Sequence, residues 1–173
     1  LFYLQITRGV QDIRSHEAES EILPTVVITS QNLYLNPYRN NPDKKGLSVR
    51  VEEDIRWARC DINTTGLTGN ILSSHDPSKS KVDEIIFHKN GIINEGAKSN
   101  VFILIGNSIL TPSLDQNILP GITRGFIIEK IRGKDFEVLE TEGSVDQFRS
   151  EEEMWLTSST KEIQQDANVK DFK

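Results

Sequence analysis

The chain carries a single cysteine, Cys60, so it holds no internal disulfide framework and fits a reducing cytoplasm. A lone thiol of this kind reads first as a small buried apolar residue. No apolar run approaches the roughly 20 residues that a membrane-spanning helix needs. No basic, then apolar, then small-residue leader opens the chain, so neither a membrane partner nor export is expected. Basic charge is also short: 20 Lys and Arg stand against 26 Asp and Glu, a net charge of −6. With no cluster of cations to neutralise phosphates, a general nucleic-acid partner is excluded. There is no internal repeat, no low-complexity tract and no Gly-rich nucleotide fingerprint. His75 and His88 lack the partners of a metal site or a catalytic triad, so no metal is expected. An initiator methionine is missing too. Leu1 opens directly into the strand-like Leu1-Phe2-Tyr3-Leu4-Gln5-Ile6-Thr7, which reads as the continuation of a preceding portion.

What is present is enough for one sizeable core or two small ones, in 173 residues of which 27% are charged. Pro24–Thr29 and Leu47–Val51 read as strands, separated by an exposed loop over Asn36–Gly46 with two prolines. The charged segment Glu53–Arg59 has no clear class. Gly66–Ser74 suggests a helix, ended near Asp76-Pro77 because proline disfavours helical backbone before it. Val82–His88 and Ile92-Ile93 form a hairpin across Asn90-Gly91, the favoured type I′ pair. Val101–Ile105 and Ile109–Thr111 form another across Gly106-Asn107-Ser108. A helix is expected from Gly121 through Ile131, then strands at Phe136–Glu140 and Met154–Ser158 with a polar helix or loop between them. Hairpins with a few helices make the fold class α+β rather than a doubly wound parallel sheet.

One stretch decides the chemistry: Glu52-Glu53-Asp54-Ile55-Arg56-Trp57-Ala58-Arg59-Cys60-Asp61-Ile62-Asn63-Thr64-Thr65-Gly66-Leu67. It resembles the active-lysine segment of the class IV aminotransferases, the pyridoxal-phosphate enzymes that include D-amino-acid and branched-chain aminotransferases. In that family the residue after the Asp-Ile pair is the lysine that holds the cofactor as a Schiff base. Here it is Asn63, an amide. Further on, Glu95-Gly96-Ala97-Lys98-Ser99-Asn100-Val101-Phe102 resembles the family's Glu-Gly-x-x-Ser-Asn-Val-Phe, whose glutamate pairs with the pyridine nitrogen. The separation 95 − 63 = 32 fits the lysine-to-glutamate spacing of the D-amino-acid enzymes without a gap, so Asn63 stands as a replacement. Leu119-Pro120-Gly121-Ile122-Thr123-Arg124 resembles Leu-x-Gly-Ile-Thr-Arg, in which Ile and Thr bind phosphate and Leu packs on the cofactor ring. Physics agrees: Gly121, Ile122 and Thr123 at a helix start offer free N–H groups, the positive dipole end and a hydroxyl. Leu156-Thr157-Ser158-Ser159-Thr160-Lys161-Glu162-Ile163 is similar to the family segment that closes the phosphate cup, here with Ser158 and Ser159.

Thr7-Arg8-Gly9 followed by Arg14-Ser15-His16 resembles the D-amino-acid aminotransferase segment whose Arg and His hold the substrate α-carboxylate. Arginine suits the task, since its planar fork gives a carboxylate two parallel hydrogen bonds. The family continues with a residue, an aromatic and a proline; this chain has Glu17-Ala18-Glu19-Ser20 instead. Each motif alone is weak, but four in order over Phe2–Ile163 are strong. The resemblance implies a pyridoxal 5′-phosphate enzyme, dimeric, moving an amino group between a D-amino acid and a 2-oxo acid. It also implies that residues 1–46 begin the cofactor domain, with an interdomain segment and loop, and that 47–173 are its remainder. The resemblance further implies a small N-terminal domain with a phosphate-binding arginine, which is expected to lie outside this sequence. Asn63 cannot form the Schiff base, and Lys98, the nearest amine in sequence, reads as a surface or strand-edge charge. Two other readings stay open, aminodeoxychorismate lyase on the same scaffold and a non-catalytic cofactor-binding relic.

Overall fold

Strand alternation places the core. In the computed structural model, which describes residues 1–17, 20–32, 46–79, 81–149, 153–164 and 168–172, the chain divides into two compact units, Leu1–Leu35 and Asn36–Lys173. Apart from Gly46, the expected loop Asn36–Gly46 lies outside the described residues.

The first unit is an antiparallel ribbon. Strand β1 (Phe2–Thr7) pairs with β2 (Thr25–Ser30) in continuous register from Phe2↔Ser30 to Thr7↔Thr25. The connection turns at Gly9, whose φ of +123° suits glycine and where a Cβ would strike the Leu23 carbonyl oxygen. Arg14 and His16 are exposed on this connection.

The second unit stacks two sheets. The first runs β11 (Asn168–Phe172), β3 (Ser48–Glu53), β4 (Glu84–Lys89), β5 (Ile92–Gly96), parallel across β11-β3-β4 and antiparallel at β4-β5. The other runs β10 (Glu162–Gln164), β9 (Glu153–Ser158), β6 (Asn100–Ile105), β7 (Ser108–Thr111), β8 (Glu137–Glu140), antiparallel except at β7-β8. Because side chains alternate along a strand, Val101 and Ile103 of β6 pack with Val49, Val51 and Ile86 of the facing sheet. Phe102 points the other way, joining Ile109 and the helix residues Ile127 and Ile128 of α2 (Ile122–Ile131). With both faces covered, β6 reads as an unbroken apolar run.

Both expected hairpins form. Asn90 and Gly91 take φ of +53° and +81° as a type I′ turn requires; the second turn is one residue shorter than expected, because Ser108 pairs with Ile105 and leaves Gly106-Asn107 as the link, with Gly106 at +58°. The expected helices appear as α1 (Thr68–Ser74) and α2, and the polar connection before β9 contains α3 (Val145–Arg149). On β3, Arg50 and Glu52 face away from the apolar core yet are buried. They pair with each other, Arg50 donates to the Ser73 carbonyl of α1 at 3.1 Å, and Glu52 accepts from Lys79 at 2.8 Å. No helix among the described residues is long and apolar enough to cross a membrane.

Candidate active site

A cavity of about 510 Å³ opens in the second unit beside α1. It is lined by the 62–71 segment, the β5–β6 connection, Leu119, the start of α2 and the end of β9. The eight residues singled out from sequence in this unit all line it: Asn63, Glu95, Leu119, Gly121, Ile122, Thr123, Ser158 and Ser159. Arg14 and His16 belong to the first unit.

Glu95 is buried there, 5% exposed. Its Oε1 accepts from Arg56 Nη1 at 2.7 Å; its Oε2 accepts from the Leu119 N–H at 3.0 Å and from Asn100 Nδ2 at 3.2 Å. A carboxylate has about four lone-pair positions, so three donors leave one on Oε1. Burial is the larger influence on its acidity and pushes the carboxyl up to about 7, with the Arg56 guanidinium pulling against it. Arg56 escaped the sequence reading. It lies in the charged stretch of no clear class, and its only local signal was an acid two residues before it, Asp54.

Asn100 Nδ2 also donates to the Leu119 carbonyl at 2.9 Å, so one amide ties Glu95 to the loop that enters α2. Gly121 is the N-cap of α2, and no side chain caps that helix. The Gly121 N–H, expected to be free, donates to the Leu119 carbonyl at 2.8 Å, whereas the N–H groups of the first turn that follows have no partner within a helix. A Cβ at Gly121 would strike Asn100 Oδ1. Gly121→Ala is therefore expected to displace the Asn100 amide and lower unfolding free energy by about 1–3 kcal/mol, as overpacking does, which urea denaturation would measure. An unchanged midpoint would contradict this account of the glycine.

The third wall brings Thr157, Ser158 and Ser159. Thr157 is 2% exposed, and among the described residues its hydroxyl has no hydrogen-bond partner. Such an orphan costs stability and marks a place where a ligand oxygen would be accepted. Asn63 is exposed at the cavity and places a neutral amide there. Lys98 lines the cavity with its side chain 58% exposed, its ammonium 3.2 Å from the Asp83 carbonyl and 4.0 Å from Glu84. Cys60 is buried, with Sγ against the Trp57 carbonyl at 3.1 Å, and burial pushes its thiol pKa up. His88 faces Glu53 at 3.1 Å, and no cluster among the described residues could hold a metal.

The arrangement is a buried acid, a helix start cleared by glycine and a group of hydroxyls around one cavity. Such donors suit a ligand that joins a basic ring nitrogen to a phosphate. The family model for class IV aminotransferases matches residues 2–167. The chain belongs to that family. It is 34% identical over 161 residues to D-alanine aminotransferase of Listeria innocua, covering 93% of this chain and 55% of that one. The chain thus spans about half the length of the relatives it matches. In fold it is similar to a candidate 4-amino-4-deoxychorismate lyase from Legionella pneumophila (TM-score 0.77, 18% identity, 99% of this chain and 61% of that one). It is also similar to a hypothetical aminotransferase from Mycobacterium tuberculosis with α-ketoglutarate and PMP bound (TM-score 0.74, 19% identity, 86% and 56%). The fold is that of the class IV aminotransferases, mixed α and β as the sequence implied.

Proposed function

We propose that this chain carries the cofactor cavity of a pyridoxal-phosphate aminotransferase acting between D-amino acids and 2-oxo acids, impaired because Asn63 stands at the lysine position. The observation that carries this reading is the convergence of Glu95, the start of α2, the Thr157–Ser159 hydroxyls and position 63 on one cavity. Pyridoxal phosphate, when bound, supplies an electron sink for the carbanion formed at the amino-acid Cα. Glu95 would hold a proton on the pyridine nitrogen with the lone-pair position that its three donors leave. The first turn of α2, with the Thr123 hydroxyl, and Ser158 and Ser159 would hold the phosphate, and Leu119 would pack on the ring. Thr157 adds a buried hydroxyl that the sequence motif did not single out. Arg14 and His16 would hold the substrate carboxylate, which favours an aminotransferase over the lyase. Asn63 can neither bond covalently to an aldehyde carbon nor accept a proton from Cα, so turnover is slow while cofactor binding persists.

Titration with pyridoxal phosphate followed by absorbance tests the reading, with D-alanine consumption and 4-aminobenzoate formation assayed on the same sample. Saturable binding with slow D-alanine consumption is expected. Binding with 4-aminobenzoate formation would shift the assignment to the lyase, and no binding would end it. Thr157→Val sharpens the test, because it removes an orphaned hydroxyl. Ligand-free stability should rise by about 1 kcal/mol, while phosphate-bearing ligands bind more weakly. A loss of both, seen by thermal denaturation and titration together, would contradict a ligand-facing hydroxyl.

A further inference from the structure

Strand alternation should send Asn94 and Glu95 to opposite faces of β5. It does not, because the register with β4 slips. Ile86 lies opposite Gly96 and His88 opposite Ile93, so Phe87 alone faces both Asn94 and Glu95. This is a β-bulge, a device that re-aims side chains. Its two residues reach the same short segment. Asn94 Nδ2 donates to Asp54 Oδ2 at 2.9 Å, and Glu95 accepts from Arg56.

Arg56 is itself locked. Its Nε and Nη2 grip the two oxygens of Asp54 at 2.9 and 2.8 Å, and Nη2 also reaches the Asn117 carbonyl at 3.2 Å. The guanidinium carbon lies 4.6 Å from the centre of the Phe87 ring, the residue opposite the bulge. The Asp54, Arg56 and Glu95 side chains are each 7% exposed or less. A flexible cation could neutralise Glu95 but not aim it. A planar fork held on one edge by a second carboxylate can do both.

We propose that Arg56, clamped by Asp54, which Asn94 of the β5 bulge holds in turn, is a positioning residue that fixes the orientation and charge of the Glu95 carboxylate towards a cofactor ring nitrogen. This rests on the cofactor reading above and adds to it a residue that works through Glu95 rather than on substrate. The charged and titratable groups around Glu95 are Arg56, Asp54 and Cys60, so a pH profile of the site reports on this set.

The test is a double-mutant cycle with pyridoxamine phosphate as the probe, since its binding needs no lysine. Affinity is measured for the unsubstituted protein, Arg56→Met, Glu95→Gln and the pair, and the pH at which the bound ring nitrogen loses its proton is followed by absorbance. Arg56→Met should weaken binding by about ten- to a hundredfold, the worth of one charge-assisted hydrogen bond, and lower that pH. In the Glu95→Gln background the same change should have almost no further effect. Arg56→Lys should recover part of the affinity, and Asp54→Asn, which loosens the clamp without touching Glu95, should shift the ring titration in the same direction. Asp54→Asn also keeps the test open if Arg56→Met fails to fold. Equal losses in both backgrounds, or an unmoved ring titration, would overturn the positioning role while leaving the cofactor reading intact. No binding by the unsubstituted protein would overturn both.

Discussion

Asn63→Lys is expected to raise D-amino-acid transamination by two to four orders of magnitude, the usual contribution of a positioned general acid–base. The change supplies one amine that would bond the cofactor and move the proton at the substrate Cα. The other groups proposed for the reaction on this unit line the same cavity: the buried acid, the α2 start and the hydroxyl wall. With pyridoxal phosphate and borohydride, the variant should give a stable adduct on the peptide carrying position 63, read by mass spectrometry. The unsubstituted protein should give none there. An adduct without any gain in turnover would mean that the remaining site has drifted, favouring a cofactor-binding relic. Equal and rapid turnover by both forms would sink the assignment of position 63. An adduct on Lys98 in the unsubstituted protein would do the same, although that ammonium already lies against the Asp83 carbonyl and Glu84.

Glu95→Gln, made in the Asn63→Lys background, should cost on the order of a hundredfold or more in turnover. The amide keeps the shape of the carboxylate but cannot stabilise a positive pyridinium. The same substitution carries a second and opposite signature in the ligand-free protein. Burial raises the Glu95 carboxyl from 4.5 to about 7, so the folded state holds a proton that the unfolded chain has released. The resulting stability is complete below about 4.5 and is lost as pH rises through about 7. Its size is on the order of 3 kcal/mol, from 1.36 kcal/mol per pH unit of separation. Urea denaturation at about pH 5 and about pH 9 should show this loss in the native sequence and its absence in Glu95→Gln. A glutamine variant weaker than the native chain at the higher pH would contradict burial as the dominant influence.

The fold was legible where local chemistry speaks. Asn90-Gly91 announced its turn and Gly106-Asn107-Ser108 a second, one residue longer than the turn that forms, while the apolar run of β6 announced a strand but not that both of its faces are covered. The cavity was legible only as an ordered set of motifs, because residues 63, 95, 119–123 and 157–159 meet through sheet stacking that no local window contains. Three features were not legible. The buried Arg50–Glu52 pair looks like an ordinary solvated strand face until α1 covers it. Strand β11 pairs with β3 from beyond the last motif, with the 114 residues 54–167 between them. Arg56 was hidden because its importance depends on a register slip in β5, and sequence alternation gives no sign of where a bulge falls.

That slip also bears on how the site tolerates insertion and deletion. A strand has parity, and every residue added or removed exchanges its two faces beyond that point. The extra residue between Ile93 and Gly96 changes parity once, close to the acid. Removing it would leave the turn at Asn90-Gly91 and the start of β6 nearly in place, yet only one of the amide and the acid could then face the Asp54–Arg56 segment. Length in this short interval is therefore as much a part of the site as the identity of Glu95, whereas the two-residue turn before it lies outside that parity count.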